Sequence, residues 1–155
     1  MPLAYCLALV ALLAQNESRP VPASNESRYK IEFTKDTLAA VKKHVAAGKA
    51  VLVDVRSQQE WNKGHLEDSI FLPVDSLRKK PDPKMLAKKL PKKKILYTFC
   101  VVGMRAKTAA IKLEQQGYTV RALKPGYDEL LEAGFKKAEP VRAAANEDTR
   151  QRNAR

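Results

Sequence analysis

The most constraining stretch is an apolar run, Ile95-Leu96-Tyr97-Thr98-Phe99, that ends in Cys100-Val101-Val102-Gly103-Met104-Arg105 and passes at once into a helical pattern, Ala106 to Gln116. A short run rich in β-branched and aromatic residues reads as a buried strand. Ala106, Ala109, Ala110 and Leu113 recur at helical spacing, and Gly117 is the stop signal. A strand that turns directly into a helix cannot pair with its successor as a hairpin. It needs a crossover, and a sheet built from crossovers is parallel and covered by helices on both faces. Sites in such sheets lie at the carboxyl ends of strands, where Cys100 falls.

The same stretch carries chemistry. Amides of Val101 to Arg105 can curl around the Cys100 sulfur while the positive end of the helix dipole points at it. Arg105 adds a cation and a fork of donors for an anionic group above the loop. Such surroundings favour a thiolate, the nucleophilic form of cysteine. A lone cysteine is otherwise a small buried hydrophobe. The strand end, the glycine three residues on and the arginine five residues on favour the reactive reading.

Alternation continues on either side. Tyr29 to Phe33 reads as an edge strand, followed by a helix capped by Asp36 or Thr37, with Leu38, Val41 and Val45 inward and Gly48 as its stop. His44, near that helix's end, is expected at the surface, complementing the dipole. Val51 to Val55 is a buried strand broken only by Asp54, a carboxylate that must be paired to be buried there, with Arg56 the expected partner. Ser57 and Glu60 have capping-box spacing for a short helix, Gln58 to Lys63. Ser69 to Leu72 is a third strand, Val74 to Leu77 a helical turn, Lys94 to Phe99 the fourth strand and Thr119 to Leu123 the fifth. Tyr127 to Ala133 is the last helix, ending at Gly134. Asp54, Arg56, Glu60 and His65 are read as supports that brace the loops rather than as reacting groups.

The order of short motifs resembles that of the rhodanese-like sulfurtransferases. Val51-Leu52-Val53-Asp54-Val55-Arg56 is similar to the family's strand ending in Asp-Val-Arg. Glu60-Trp61 with Gly64-His65-Leu66, then Ile70-Phe71-Leu72-Pro73, then Cys100-x-x-Gly103-x-Arg105 follow in the family's order. Leu123-Lys124-Pro125-Gly126-Tyr127 stands where the family has L-x-G-G and an aromatic residue. The likeness runs from about Lys30 to about Phe135. It implies a three-layer α/β/α sandwich on a five-stranded parallel sheet. It also implies a persulfide on Cys100, with Val101, Val102, Gly103, Met104 and Arg105 forming the substrate loop and no cofactor. After Leu66 the family has a small Gly-Ala pair; Asp68-Ser69 here predicts a different turn.

Four residues separate Cys100 from Arg105, one fewer than in the related phosphatases, which favours a single sulfur atom over a tetrahedral phosphate. Once the N-terminal residues are set aside there is no second cysteine to resolve an oxidised one, which argues against a self-contained oxyanion reductase. A carrier or partner-docking module without rapid turnover stays open beside the sulfurtransferase reading. The donor is a small sulfur-bearing anion or a protein persulfide. Members that use thiosulfate often carry a basic residue after the cysteine; Val101 and Val102 stand there, which favours a less charged donor.

The outer parts of the chain read differently. Residues 1–23 hold an apolar run suited to a secretory signal, with cleavage after Ala14 or Ala23, and the start of a linker. The run is too short for the ~20 residues of a spanning helix. Residues 24–29 continue the linker, residues 30–137 form the domain, and residues 138–155 are a polar tail expected to be disordered. Asn16 and Asn25 begin formal glycosylation sequons. This predicts an exported protein, periplasmic or secreted. The net charge of +12 is concentrated in Arg78 to Lys94, with Met85, Leu86 and Leu90 at inward spacing. A solvated helix face explains it; an acidic protein or anionic surface is the partner it would suit. The few aromatics are not interleaved with the basic residues and no zinc-ligand spacing occurs, so nucleic-acid binding is not expected. A monomer is expected.

Overall fold

The computed structural model describes residues 32–78 and 81–139. The expected signal segment, linker, sequons and most of the tail lie outside the described residues. In chain order the elements are α1 (Leu38–Ala46), β1 (Ala50–Asp54), α2 (Gln58–Lys63), β2 (Ile70–Phe71), α3 (Val74–Arg78), α4 (Pro83–Lys89), β3 (Ile95–Phe99), α5 (Met104–Glu114), β4 (Val120–Ala122) and α6 (Tyr127–Glu132). The strands form one parallel sheet in the order β2-β1-β3-β4. Crossover connections set this order, as the strand-to-helix transitions predict.

The period of two along each strand sorts side chains into two cores, one on each face of the sheet. Val53, Val55, Leu96 and Cys100 face α3, α4 and α5, joined by Leu77, Leu86, Leu90 and Leu113. Ala50, Leu52, Tyr97 and Phe99 face α1 and α6, joined by Val41, Leu123 and Leu130. The alanines of α5, Ala106, Ala109 and Ala110, are fully buried, so this helix lies close on the sheet. The Thr98 hydroxyl, buried in β3, donates to the Ala106 carbonyl at 3.0 Å and satisfies a polar group that would otherwise be orphaned.

The expected fifth strand is corrected: among the described residues the sheet has four strands. Residues 29–31 lie outside the described residues, and the rest of that segment makes one isolated parallel bridge, Phe33 with Ala122. There the chain leaves the sheet. The Thr34 hydroxyl accepts from the Asp36 N–H at 3.2 Å and Thr37 caps α1, which turns the backbone away after one rung. Thr37, not Asp36, is the N-cap. Asp36 instead accepts from the Tyr97 hydroxyl and from Arg121, each at 2.6 Å. His44 Nδ1 lies 2.9 Å from the same Tyr97 oxygen, so it holds the sheet as well as sitting in the last turn of α1. With the single Tyr97 proton given to Asp36, the bond from His44 is donated by its own Nδ1–H.

In the basic segment Leu86 and Leu90 are buried while Lys84, Lys88 and Lys89 are exposed, an amphipathic helix with a solvated cationic face. Asp68 occupies the left-handed region, φ 60°, which aspartate tolerates better than most residues and which sets the turn before β2. The close seat of α5 is open to test. Ala109→Leu forces extra volume between α5 and the sheet and is expected to cost about 1–3 kcal/mol, read as a lower denaturant midpoint in equilibrium unfolding.

Candidate functional site

Cys100 is the first residue beyond β3, and only 1 % of it is exposed. The loop behind it closes through Gly103, whose left-handed φ of 82° lets the chain turn back so that its N–H donates to Cys100 Sγ at 3.2 Å. Gly103 is also the N-cap of α5, so the sulfur sits at the positive end of an eleven-residue helix. A side chain at Gly103 would meet the ring of Phe33, with a Cβ only 2.6 Å from Cε1. The bridge residue of the outer segment is thus the floor of the loop.

A second glycine fixes the loop from the other side. A Cβ at Gly126 would lie 1.8 Å from the Val101 carbonyl oxygen, so only glycine lets the two backbones touch. The next residue, Tyr127, donates its backbone N–H to the Cys100 carbonyl at 3.0 Å. Glu129 receives the Gly126 N–H at 2.7 Å and completes the start of α6.

The four residues read from the sequence as supports fall into two groups and an outlier. Asp54 is fully buried and receives Arg56 at 2.7 Å through Nη2, with further bonds from Nε and from the Arg56 backbone N–H. Arg56 Nη2 also donates to the Gly64 carbonyl at 2.8 Å, and its guanidinium lies over the Tyr127 ring at 3.9 Å. Glu60 forms the capping box of α2 with Ser57. It also takes Arg105 in a two-pronged ion pair, with both oxygens 2.7 Å from guanidinium nitrogens. That second partnership is invisible to local spacing and changes what Arg105 offers. Its Nη1 and Nη2 each give an N–H to the carboxylate, so its charge is paired before any anion arrives. The Arg105 hydrogen bonds, opposed by partial burial and aided by Ser57, hold the Glu60 carboxyl down at about 2. Arg105 is pushed above its usual range, chiefly by Glu60 and to a smaller extent by Cys100. His65 is the outlier. It stacks on Trp61 with ring centroids 3.8 Å apart, beside a cleft of about 550 Å³ bordered by Trp61, Gly64, Lys137 and Glu139.

Around the nearly closed sulfur, the loop's other side chains point to solvent. Val101 is 43 % exposed, Val102 70 % and Met104 64 %. These are the exposed large apolar side chains among the described residues. No cluster of His, Cys, Asp and Glu among the described residues could hold a metal ion. A buried thiol bonded by an amide at a helix N-terminus can act as a nucleophile toward an atom small enough to enter the loop.

Residues 37–133 match the family model of the rhodanese-like domain. The chain belongs to that family. Among solved structures it is similar to the human single-domain sulfurtransferase TSTD1, at 27 % identity over 61 % of this chain and 92 % of that one, with a TM-score of 0.53. It is similar also to the Saccharomyces cerevisiae single-domain sulfurtransferase RDL2, at 28 % identity over 66 % of this chain and 95 % of that one, TM-score 0.52. A rhodanese-related protein of Thermoplasma volcanium, 24 % identical over 71 % of this chain and 98 % of its own, with a TM-score of 0.54, shares the fold. No curated protein matches the sequence.

Sequence reasoning gave Phe33 and Gly126 no part in shaping the site. The Pro125-Gly126-Tyr127 string marks the place, but the need for glycine arises from a contact with a residue 25 positions earlier.

The Glu60–Arg105 pair has a pH signature. A carboxyl lowered in the folded state stabilises it above the unfolded value, near 4.5, and loses that contribution as pH falls toward 2. Glu60→Gln is therefore expected to be less stable than the wild type by about 1–2 kcal/mol above pH 5. The gap should close between pH 4.5 and 2, measured by urea unfolding across that range. A gap independent of pH would mean that the ion pair contributes nothing.

Proposed function

We propose that the protein is a sulfurtransferase that carries a sulfane sulfur as a persulfide on Cys100. The observation that carries this reading is the loop itself: a single buried sulfur, bonded by the Gly103 amide at 3.2 Å, at the N-terminus of α5. Cys100 thiolate attacks the outer sulfur of the donor. A bond forms between Sγ and that sulfur, the donor's sulfur–sulfur bond breaks, and its electron pair leaves with the remainder of the donor. The amides of the loop then face a persulfide, whose terminal sulfur bears the charge. A thiophilic acceptor attacks that sulfur, takes it and returns Cys100 thiolate. Two half-reactions through one covalent intermediate give ping-pong kinetics.

The loop supports sulfur over phosphate. The Gly103 amide closes on Sγ at 3.2 Å from only three residues on, and the four-residue spacing of Cys100 and Arg105 suits a single added atom better than a tetrahedral group. The family membership and the two single-domain sulfurtransferases at 27 % and 28 % identity favour the same chemistry.

Intact mass after incubation with thiosulfate, and separately with polysulfide, tests the proposal. One added sulfur atom is expected on the wild type with at least one donor, removable by cyanide and absent from Cys100→Ala. A wild-type thiol that takes sulfur from neither donor would refute the sulfurtransferase reading.

Gly126→Ala should also be informative, because its Cβ would enter the Val101 carbonyl and move the loop. Persulfide formation is expected to slow about 100-fold, the scale at which a displacement near 1 Å acts on an aligned reaction. A variant that keeps its circular dichroism and the wild-type rate would show that the backbone contact is unimportant.

A further inference from the structure

We propose that this site selects a sulfur donor whose transferable sulfur is attached to an uncharged, apolar organic group, and disfavours small sulfur oxyanions such as thiosulfate; the proposal rests on Cys100 being the sulfur-accepting nucleophile. Two independent observations carry it. The first concerns charge. Residues 100–104 bear no charged side chain, and the loop's own cation, Arg105, is neutralised by the two-pronged pair with Glu60. Ser57 holds Glu60 in turn through its N–H and hydroxyl, at 2.9 and 2.7 Å, so the carboxylate is not free to swing away. Lys107, one turn further along α5, is seated over the Phe33 ring at 4.5 Å. A dianion that reached the sulfur would shed its water for helix-end amides and a guanidinium already matched by a carboxylate. That exchange is unfavourable where the guanidinium nearest the sulfur is already paired.

The second observation concerns surface. Val102 and Met104 flank the turn and are 70 % and 64 % exposed, while the sulfur they flank is 1 % exposed. Apolar side chains displayed at the rim of a recessed nucleophile gain free energy when an apolar group covers them, and methionine adapts to irregular partners. An unbranched organic hydropersulfide fits both features. Its terminal sulfur is slender enough to enter the loop, and its carbon chain lies on the rim. The step is balanced as Cys100-S⁻ plus R-S-SH giving Cys100-S-SH plus R-S⁻. The Sγ–S bond forms, the S–S bond of the donor breaks, the departing thiolate keeps the electron pair, and no external oxidant or reductant is required.

The test is the second-order rate of Cys100 persulfidation, followed by intact mass on the full chain, with straight-chain alkyl hydropersulfides of two, four and six carbons and with thiosulfate. Each rate is divided by that of the same donor with a free small-molecule thiol. For the wild type the normalised rate is expected to rise about two- to fourfold per added methylene, the range set by partial to full burial of a methylene group. Val102→Lys with Met104→Lys, at exposed positions the fold tolerates, should flatten that series. Glu60→Gln should raise the thiosulfate rate about tenfold by releasing the charge of Arg105, without changing the six-to-two-carbon ratio. Rates independent of chain length, thiosulfate faster than the six-carbon donor, or a thiosulfate rate unmoved in a folded Glu60→Gln protein would each overturn the selectivity while leaving sulfur transfer intact. Failure of every donor to persulfidate Cys100 would overturn the transfer reading and this one with it.

Discussion

A buried ion pair underlies the site. Asp54 ends β1 with no solvent exposure, where an unpaired carboxylate would cost several kcal/mol. Arg56 satisfies it through side chain and backbone together, and the geometry of that satisfaction is what the surroundings inherit. With one edge of the guanidinium committed to Asp54, Nη2 reaches the Gly64 carbonyl and the flat face meets the Tyr127 ring. Tyr127 is thereby set at the start of α6, and its backbone N–H holds the Cys100 carbonyl. The preceding glycine can then press against Val101. A charge pair at the end of one strand thus positions the loop at the end of its neighbour. Replacing the pair with apolar residues could match its stability, but no apolar side chain would supply the directed donors.

The floor of the loop is governed from the opposite face of the sheet. Asp36 gathers the Tyr97 hydroxyl and Arg121, and His44 completes the cluster from α1. The Tyr97 and Arg121 hydrogen bonds keep the Asp36 carboxyl below the usual carboxylate range. This cluster fixes the segment just before α1, and that segment carries Phe33. A one-rung bridge to β4 would be a weak anchor by itself. With Asp36 tied three residues later, it suffices to keep the Phe33 ring under Gly103, where nothing bulkier than a hydrogen fits.

These dependencies explain what was legible in the sequence. The passage from β3 through Cys100 into α5 was legible because every part of it is local: an apolar run, a glycine at a left-handed turn, alanines at helical spacing. The Ser57–Glu60 box was legible for the same reason, at the fixed distance of a helical turn. The pairing of Arg105 with Glu60 was not legible because the two lie 45 residues apart in sequence, and a capping glutamate gives no sign that its carboxylate has a second use. Gly126 was opaque for a different reason. Its φ of −90° is open to any residue, so no turn rule demands glycine there; the demand comes from the Val101 carbonyl. The expected fifth strand, absent among the described residues, shows the reverse error. Alternation at Tyr29 to Phe33 is a proper strand signal, but the threonine and aspartate that follow supply a turn and a cap. Within the described residues those local hydrogen bonds end the pairing after a single rung.

Charge on this molecule works at two ranges, and they need not agree. A net +12 raises the concentration of anions around the surface, an effect that falls off over about 10 Å in ordinary salt. At the sulfur, the relevant quantities are fixed dipoles and one matched ion pair within hydrogen-bond distance. The helix end and the Gly103 amide offer partial positive charge beside the Cys100 sulfur. The full charge of Arg105 is already answered by Glu60. A basic surface can therefore surround a loop whose own full positive charge is paired. Local pairing, more than the overall charge, then sets the electrostatics beside Cys100.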